Sequence, residues 1–222
     1  MEFTEVVTTT RAIRRYRSDP IPDEDLSRIL FAASRAPSGS NRQPFRFLVL
    51  RDGPTALRAR ALLGATFRSM WAEKASADRY DEGSGADPDS PKARMAAAME
   101  HFVEHAEATP VFIVACFRPR HGGHLVEGAS IFPACQNLLL AARELGYGGV
   151  LTTWHLPAAQ ELAEILGLPD DVVIPAVIPL GRPQGRHGPV RRRPLSELVY
   201  DDAWGREASW LTEPPGTRHI GG

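Results

Sequence analysis

The chain has 222 residues, of which 43% are hydrophobic and 24% charged, with a formal net charge of −1. This is the composition of a globular domain with enough length for a sizeable core, and its charge balance excludes a global field favouring nucleic acid or an anionic membrane. No apolar run reaches membrane-spanning length and residues 1–10 lack a signal-peptide pattern, so we expect a cytoplasmic protein.

The first part of the chain predicts a helix, a loop, a strand and a second helix. Residues 22–35 combine an acidic first turn with apolar residues at helical spacing, which is typical of a helix. Residues 37–44, PSGSNRQP, are rich in turn formers and predict a loop. Residues 45–50, FRFLVL, alternate like a half-buried strand, and a helix is expected over 55–75.

Residues 76–92, SADRYDEGSGADPDSPK, are rich in Gly, Ser, Asp and Pro, which indicates either a disordered surface loop or a mobile lid. A helix over 93–107 and a buried strand over 111–117, VFIVACF, are expected next. The almost wholly apolar run 129–145 predicts a central buried helix that ends at Gly146.

The last part predicts a strand or loop over 148–154, a helix over 158–166 and a core strand within 171–181. The tail, 182–222, is Gly/Pro-rich and charged, with scattered aromatic residues. We therefore predict one α+β domain over 1–222, with a small mixed or antiparallel sheet flanked by helices. The tail is predicted to be a C-terminal arm that lies on a second copy of the chain.

The two cysteines, Cys116 and Cys135, lie inside apolar segments and predict buried free thiols rather than a disulfide. The pattern H-x-x-E-H, formed by His101, Glu104 and His105, matches the ligand spacing of a zinc hydrolase. No further ligand is evident in the sequence, so an exposed polar helix face is the favoured interpretation. The H-G-G-H sequence at 121–124 predicts a loop.

No dinucleotide-binding G-x-G-x-x-G, phosphate-binding Walker loop or G-x-S-x-G nucleophile motif is present in the sequence. If the protein is an enzyme, a cofactor therefore supplies its reactive centre. Two basic clusters, one over 11–17 and one over 191–193, offer planar multidentate donors suited to phosphate. Each alone is typical of a solvated surface. Together with the polar loop 37–44, they indicate a phosphorylated planar cofactor.

The order of these motifs resembles the FMN-dependent nitroreductase family over residues 8–200. The run TRAIRRYRSDPIPDEDLSRILFAASRAPSGSNRQPFRFLVL is similar to the family's opening, in which an R-R-S-x-R-like segment and a helix precede A-P-S-x-x-N-x-Q-P-W. QNLLLAARELGYGG resembles the family's central helix and glycine turn, and IPLGRP with RRRPLSELV resembles its ending. The chain departs from the pattern at Thr10, Ala12 and Phe45, where the family often has Arg, Ser and Trp.

The resemblance implies the residues that bind FMN. Arg11 is expected near the phosphate, with the backbone around Ala12, and Arg14 at the pyrimidine edge of the ring. The backbone of Leu151 and Thr152 is expected against the ring, and Arg192 is expected on the phosphate. The partner subunit of a dimer with exchanged C-terminal arms is expected to contribute a further set of ring contacts: Pro37, Ser38, Gly39 and Asn41.

The resemblance also implies the reaction. A reduced nicotinamide, NADH or NADPH, is expected to give hydride to FMN and leave before an oxidised acceptor such as a nitroaromatic or quinone binds. Alternatives on the same fold are a specialised oxidation or the breakdown of reduced flavin. Alternatives of another class are the zinc hydrolase and a non-catalytic flavin-binding protein.

Overall fold

The computed structural model describes residues 1–120 and 125–220. The helices and strands, in chain order, are α1 (Phe3–Thr9), α2 (Asp23–Ser34), β1 (Phe45–Leu50), α3 (Pro54–Ala77), α4 (Pro91–Glu104), β2 (Val111–Phe117), α5 (Leu125–Glu144), β3 (Gly148–Gly149), α6 (Ala159–Leu166) and β4 (Val173–Gly181). None of the helices in these ranges is long and apolar enough to cross a membrane.

The four strands form one antiparallel sheet in the order β1-β2-β4-β3. β1 and β2 pair in continuous register from Phe45 opposite Phe117 to Leu50 opposite Phe112. β2 pairs with β4 on its other side, with one irregularity between Ala115 and Phe117. The predicted α+β class with a small sheet is thus confirmed.

Both faces of the sheet are covered by helices, so every residue of the central strand β2 is buried. This explains why β2 is a continuous apolar run, whereas β1, at the edge of the sheet, is only partly buried. One face packs against α2 and α5 in a cluster that includes Ile29, Ile113 and Leu138. The other face packs against α3, α4 and α6, with Phe67 and Phe112 at its centre. Cys116 lies on this second face, Cys135 lies in the first cluster, and both are free buried thiols, as predicted.

The predicted strands over 45–50 and 111–117 match the observed ones, whereas several helix ends differ. The helix expected from 93 begins at Pro91, because the Ser90 hydroxyl accepts the N–H of Ala93 at 2.9 Å and proline is tolerated in a first turn. The central helix begins at Leu125 rather than 129 and continues through Pro133. α1 was not predicted at all.

Between α3 and α4 the chain follows turns and one 3-10 helix, Gly83–Ala86. The Tyr80 ring packs on Trp71, with centroids 5.1 Å apart, and Lys92 Nζ donates to the Arg79 carbonyl at 2.6 Å. Whether 76–92 moves as a lid stays a prediction. The loop predicted at 121–124 lies outside the described residues.

The C-terminal arm has two parts. Residues 182–190 run beside the N-terminal segment, where Arg17 N–H donates to the Arg182 carbonyl at 2.8 Å and Val190 N–H to the Thr8 carbonyl at 2.8 Å. From 191 to 220, every hydrogen bond and ion pair within the described chain joins two residues of that same stretch. Trp204 is 92% exposed. None of residues 191–220 belongs to either hydrophobic cluster described above, so this part of the arm packs little against the core of its own chain.

Candidate cofactor site

The basic N-terminal segment is held against the short strand β3. Ile13 N–H donates to the Gly149 carbonyl at 3.0 Å, and the neighbouring Gly148 leaves no room for a side chain. A Cβ on Gly148 would lie 2.5 Å from Ile13 Cγ1, a distance that real Cβ contacts do not reach. The glycine turn after α5 is therefore required for the close approach of the arginine-bearing segment.

Tyr16 fixes the turn that carries Arg14. Its hydroxyl donates to the Ile13 carbonyl, and the Pro179 carbonyl of β4 lies 3.2 Å from the same oxygen. Burial raises the pKa of Tyr16 above its ordinary value, so the hydroxyl stays protonated as a donor. A short bridge between Tyr16 and Pro183 adds the start of the arm to this support.

The Arg14 side chain lines a cavity of about 270 Å³. One side of this cavity is the segment after β3, residues 150–154. The opposite side comes from the two long helices, with Trp71 and Lys74 on α3 and three apolar side chains on α4: Met95, Met99 and Phe102. The cavity thus combines two cations, Arg14 and Lys74, with a lining that is partly polar and partly apolar, and the Lys74 ammonium also pairs with Asp78.

The guanidinium of Arg14 is half-buried and has no hydrogen-bond or ion-pair partner among residues 1–120 and 125–220. Burial lowers the pKa of Arg14, with the Tyr16 hydroxyl acting weakly in the opposite direction. An arginine nevertheless remains charged, because its pKa lies far above neutrality. A partly desolvated cation without a protein partner can bind an anionic or strongly hydrogen-bond-accepting ligand in this cavity.

Aromatic rings stiffen the cavity wall. Trp154 lies nearly parallel to Trp71, with centroids 6.5 Å apart and an interplanar angle of 21°. Phe67 meets Trp154 edge-on at 6.4 Å, and the Tyr80 ring is tilted against Trp71 with centroids 5.1 Å apart. Rigid aromatic surfaces suit a planar, partly apolar ligand.

The segment 151–154 is fixed to β4 by two sets of contacts. Thr152 and Val177 exchange both main-chain hydrogen bonds at 2.9 Å. His155, which is fully buried, places Nε2 2.7 Å from the Ile174 carbonyl. Burial lowers the pKa of His155, so the ring is neutral and Nε2 carries the proton that it donates. The segment therefore presents its backbone to the cavity from a fixed position.

Of the residues predicted to bind a cofactor, Arg14, Leu151 and Thr152 line this one cavity. Arg11 lies outside it with an exposed side chain, and its Nη1 is 3.9 Å from the position that a Cβ on Gly188 would take. Ala12 is exposed beside it. Arg11 therefore lies where the arm begins, whereas Arg14 faces inward.

The other residues predicted to bind a cofactor, four in the loop 37–44 and Arg192 on the arm, lie away from the Arg14 cavity. Gly39 N–H donates to Ser130 Oγ on α5 at 3.2 Å, and Ser38 Oγ accepts the N–H of Gln43 at 2.9 Å. None of the predicted loop residues, Pro37, Ser38, Gly39 and Asn41, lines the Arg14 cavity. Arg192 is exposed on the arm and donates to the carbonyl of its neighbour Arg191 at 2.8 Å. A single chain does not bring these residues together with Arg14.

Sequence reasoning missed the side of the cavity that α3 and α4 provide. Met95, Met99 and Phe102 recur at helical spacing, a signal that predicts a buried stripe but not what the stripe faces. Trp71 and Lys74 stand three positions apart on α3 and so share a helix face. The pairing of these two helices across a cavity depends on tertiary packing.

The zinc pattern forms no metal cluster in the described part of the chain, where no three His, Cys, Asp or Glu side chains are placed to hold an ion. The His101 and His105 rings stack with centroids 4.2 Å apart, and His105 Nδ1 lies 2.9 Å from the His101 carbonyl of the same helix. These contacts are those of a helix end.

The chain is similar to known proteins over most of its length. The sequence profile of the nitroreductase family matches residues 7–182. A protein of Thermus thermophilus named NADH dehydrogenase is 34% identical over 193 residues, covering 85% of this chain and 90% of that protein. Iodotyrosine deiodinase 1 of Rattus norvegicus is 27% identical over 210 residues, covering 89% of this chain and 68% of that protein.

Among solved structures, a Desulfovibrio desulfuricans protein assigned as a nitroreductase, in complex with FMN, superimposes with a TM-score of 0.66. It is 28% identical, and the match covers 92% of this chain and 98% of that one. Fold, cavity and relatives together define the class of protein, a flavin-dependent oxidoreductase. The chain belongs to the nitroreductase family.

Proposed function

We propose that the chain binds FMN in the Arg14 cavity and acts as an FMN-dependent NAD(P)H oxidoreductase whose acceptor is a nitroaromatic or a quinone. The observation that carries this proposal is the half-buried Arg14 guanidinium, which has no partner in the described chain and faces a cavity with rigid aromatic walls.

The residues present fit the cofactor. A flavin ring is planar, apolar on one edge and rich in carbonyl acceptors on the other, which matches the aromatic wall and the two cations Arg14 and Lys74. The main chain of Leu151 and Thr152 lies at the same cavity, anchored to β4. When bound, FMN supplies the redox chemistry, which no side chain of this cavity could provide.

Each chain residue then has a binding or electrostatic role. Arg14 holds the pyrimidine edge and stabilises negative charge there, which favours the reduced state of the ring. In our proposal, Arg11 and Arg192 contact the phosphate, and the main chain around Ala12 also contacts the cofactor. Trp71 and Trp154 exclude water from one side of the cavity.

The complete site requires a second copy of the chain. The loop with Pro37, Ser38, Gly39 and Asn41 lies away from the Arg14 cavity of its own chain, so in our proposal it covers the ring in a partner. Residues 191–220 lie on that partner as an exchanged arm, which would cover the exposed rings of Trp204 and Trp210. This homodimer is supported by the separation of the two residue sets and by the self-contained hydrogen bonding of the arm.

A second candidate function is the reductive removal of halogen from an aromatic substrate. It is favoured by relatives named iodotyrosine deiodinase, which include a bacterial one of Thermotoga neapolitana at 25% identity over 189 residues. The same cavity and cofactor would serve this reaction, so the two candidates differ only in the acceptor.

Steady-state kinetics tests the function. The purified, flavin-loaded protein is mixed with NADH or NADPH and, in separate series, a quinone, a nitroaromatic or an iodinated tyrosine. Acceptor-dependent oxidation of the donor, with parallel double-reciprocal lines, is expected because the donor leaves before the acceptor binds. A flavin-loaded protein that oxidises neither donor with any of these acceptors would be a binding protein and would refute the catalytic proposal.

A further inference from the structure

A second, larger cavity of about 600 Å³ lies at one end of the sheet and shares no lining residue with the Arg14 cavity. It is an open groove between the first half of β1, the end of β2 and the loop before β4. Four arginines line it: Arg42, Arg46, Arg118 and Arg120. We call this cavity the arginine groove.

The positive charges of the arginine groove are incompletely balanced. Arg118 is paired with Asp171 at 2.7 Å, and Arg46 donates to two main-chain carbonyls at 2.7 and 3.0 Å. Arg42 makes a single long main-chain hydrogen bond of 3.4 Å. The Arg120 main-chain N–H donates to the Glu127 carboxylate at 2.7 Å, and the Arg120 guanidinium has no ion pair with any of residues 1–120 and 125–220. Within the described ranges, two guanidinium groups of one groove, those of Arg42 and Arg120, thus have no ion-pair partner and could bind an anion.

The remaining lining of the groove is apolar. Leu48 and Cys116 from the sheet and Leu168 and Val172 from the loop line the same cavity as the arginines. An apolar floor with cationic donors suits a ligand that has both a flat, poorly hydrated part and several negative charges. A nucleotide combines these two properties, since a base can lie on the floor while guanidinium groups bind phosphate in a bidentate manner.

The position of the groove connects it to the proposed active site. Arg42 directly follows Asn41 in the loop 37–44, and in our proposal Asn41 lies over the flavin ring of the partner subunit. A ligand whose nicotinamide reaches that ring while its phosphates extend along the chain past Asn41 would therefore meet Arg42 next.

We propose that the arginine groove binds the phosphate-bearing half of the nicotinamide dinucleotide that donates hydride. This inference rests on the proposed function, because it assumes a dinucleotide donor. In this proposal, Arg42 and Arg120 bind the hydride donor, whereas Arg14 binds the flavin.

The test compares the double variant Arg42→Ala/Arg120→Ala with the wild type, using three donors of decreasing charge. NADPH carries the 2′-phosphate and the pyrophosphate, NADH carries the pyrophosphate alone, and 1-benzyl-1,4-dihydronicotinamide carries no phosphate. Arg58→Ala, on the exposed face of α3, is the matched control. Flavin content and melting temperature are measured for each variant, so that a loss of cofactor or of folding is seen separately.

We expect kcat/KM for at least one dinucleotide to fall about tenfold or more for each arginine removed, mainly through KM, because each removes a charge-assisted hydrogen bond. The value with the benzyl donor should change less than about twofold. A larger fall with NADPH than with NADH assigns the groove to the 2′-phosphate, and an equal fall assigns it to the pyrophosphate.

A binding measurement separates this inference from the proposed function. ADP-ribose and ADP-ribose 2′-phosphate, which lack the nicotinamide, are titrated calorimetrically into the purified protein. The Kd for at least one of them should weaken about tenfold or more in the double variant and stay unchanged in Arg58→Ala. Equal losses with the benzyl donor and the dinucleotides, or unchanged binding of both ADP-ribose compounds in the double variant, would overturn the assignment. Wild type that binds either compound in the groove but never oxidises NAD(P)H would refute the function alone.

Discussion

Replacing Arg14 by alanine should affect cofactor affinity and apoprotein stability in opposite directions. In the flavin-free protein, Arg14 is a half-buried cation without a partner in the described chain, so its removal relieves a desolvation cost. In the loaded protein, the same change removes a charge-assisted hydrogen bond of about 1.5–3 kcal/mol. The Kd for FMN should therefore rise about ten- to a hundredfold, while the apoprotein should unfold at the same temperature or a higher one.

The assay titrates flavin-free protein into FMN and follows the quenching of free-flavin fluorescence, with thermal unfolding measured in parallel. Arg14→Lys should give an intermediate Kd, because lysine keeps the charge but loses the planar fork. Arg17→Ala is the control. The Arg17 side chain is exposed and has no hydrogen bond or ion pair in the described ranges, and the variant keeps the main-chain bond to Arg182.

Two results would refute the assignment of Arg14. An Arg14→Ala protein that binds FMN as tightly as the wild type, but whose apoprotein is less stable, would make Arg14 a structural residue. An equal rise in the Kd for FMN in Arg17→Ala would mean that the N-terminal arginines act only as a diffuse basic surface.

Three further predictions follow from burial and from the arm. Truncation after Val199 should abolish both the dimer and flavin retention, and a truncated chain that elutes as a flavin-loaded dimer would contradict the exchanged arm. Burial raises the pKa of Cys116 to about 11 and of Cys135 to about 12, so neither thiol should react with Ellman's reagent at pH 8 until the protein is denatured. Because burial lowers the pKa of His155 below 6.5, the unfolded chain takes up its proton first as pH falls, and stability should decline below about pH 6.5. Denaturant titrations at pH 7 and pH 5 measure the loss of unfolding free energy between the two pH values. This loss should be smaller in His155→Gln than in the wild type, and the difference should be at most about 1.4 kcal/mol per pH unit.

The sequence was sufficient to predict a strand where its pattern of apolar residues matched the burial of that strand in the fold. β1, predicted as a half-buried strand, lies at the edge of the sheet and is only partly buried. β2 is uniformly apolar because both of its faces are buried. α1 was missed because its Thr- and Val-rich sequence has low helix propensity. In the structure, the hydroxyls of Thr8 and Thr9 donate to carbonyls four residues earlier at 2.7 and 2.6 Å, and Val6 is buried.

The candidate site was predictable only in part, for a physical reason. Arg14 was indicated by its place in the arginine cluster and by the family resemblance, and the structure directs its side chain into a cavity. Lys74 and Trp71 come from a helix whose low amphipathicity gives no sign of which face it turns toward the cavity. In the proposed dimer, the loop over 37–41 joins the site of a second chain, and no pattern within one sequence specifies that arrangement.

The cofactor content of the purified protein tests the central claim most directly. Absorbance from 300 to 550 nm, with chromatography of the heat-released chromophore and elemental analysis for zinc, distinguishes the possible states of the protein. We predict a yellow protein that releases one FMN per chain and carries no stoichiometric zinc. A colourless protein that fails to bind added FMN, or one that carries one zinc per chain, would contradict the assignment of the Arg14 cavity.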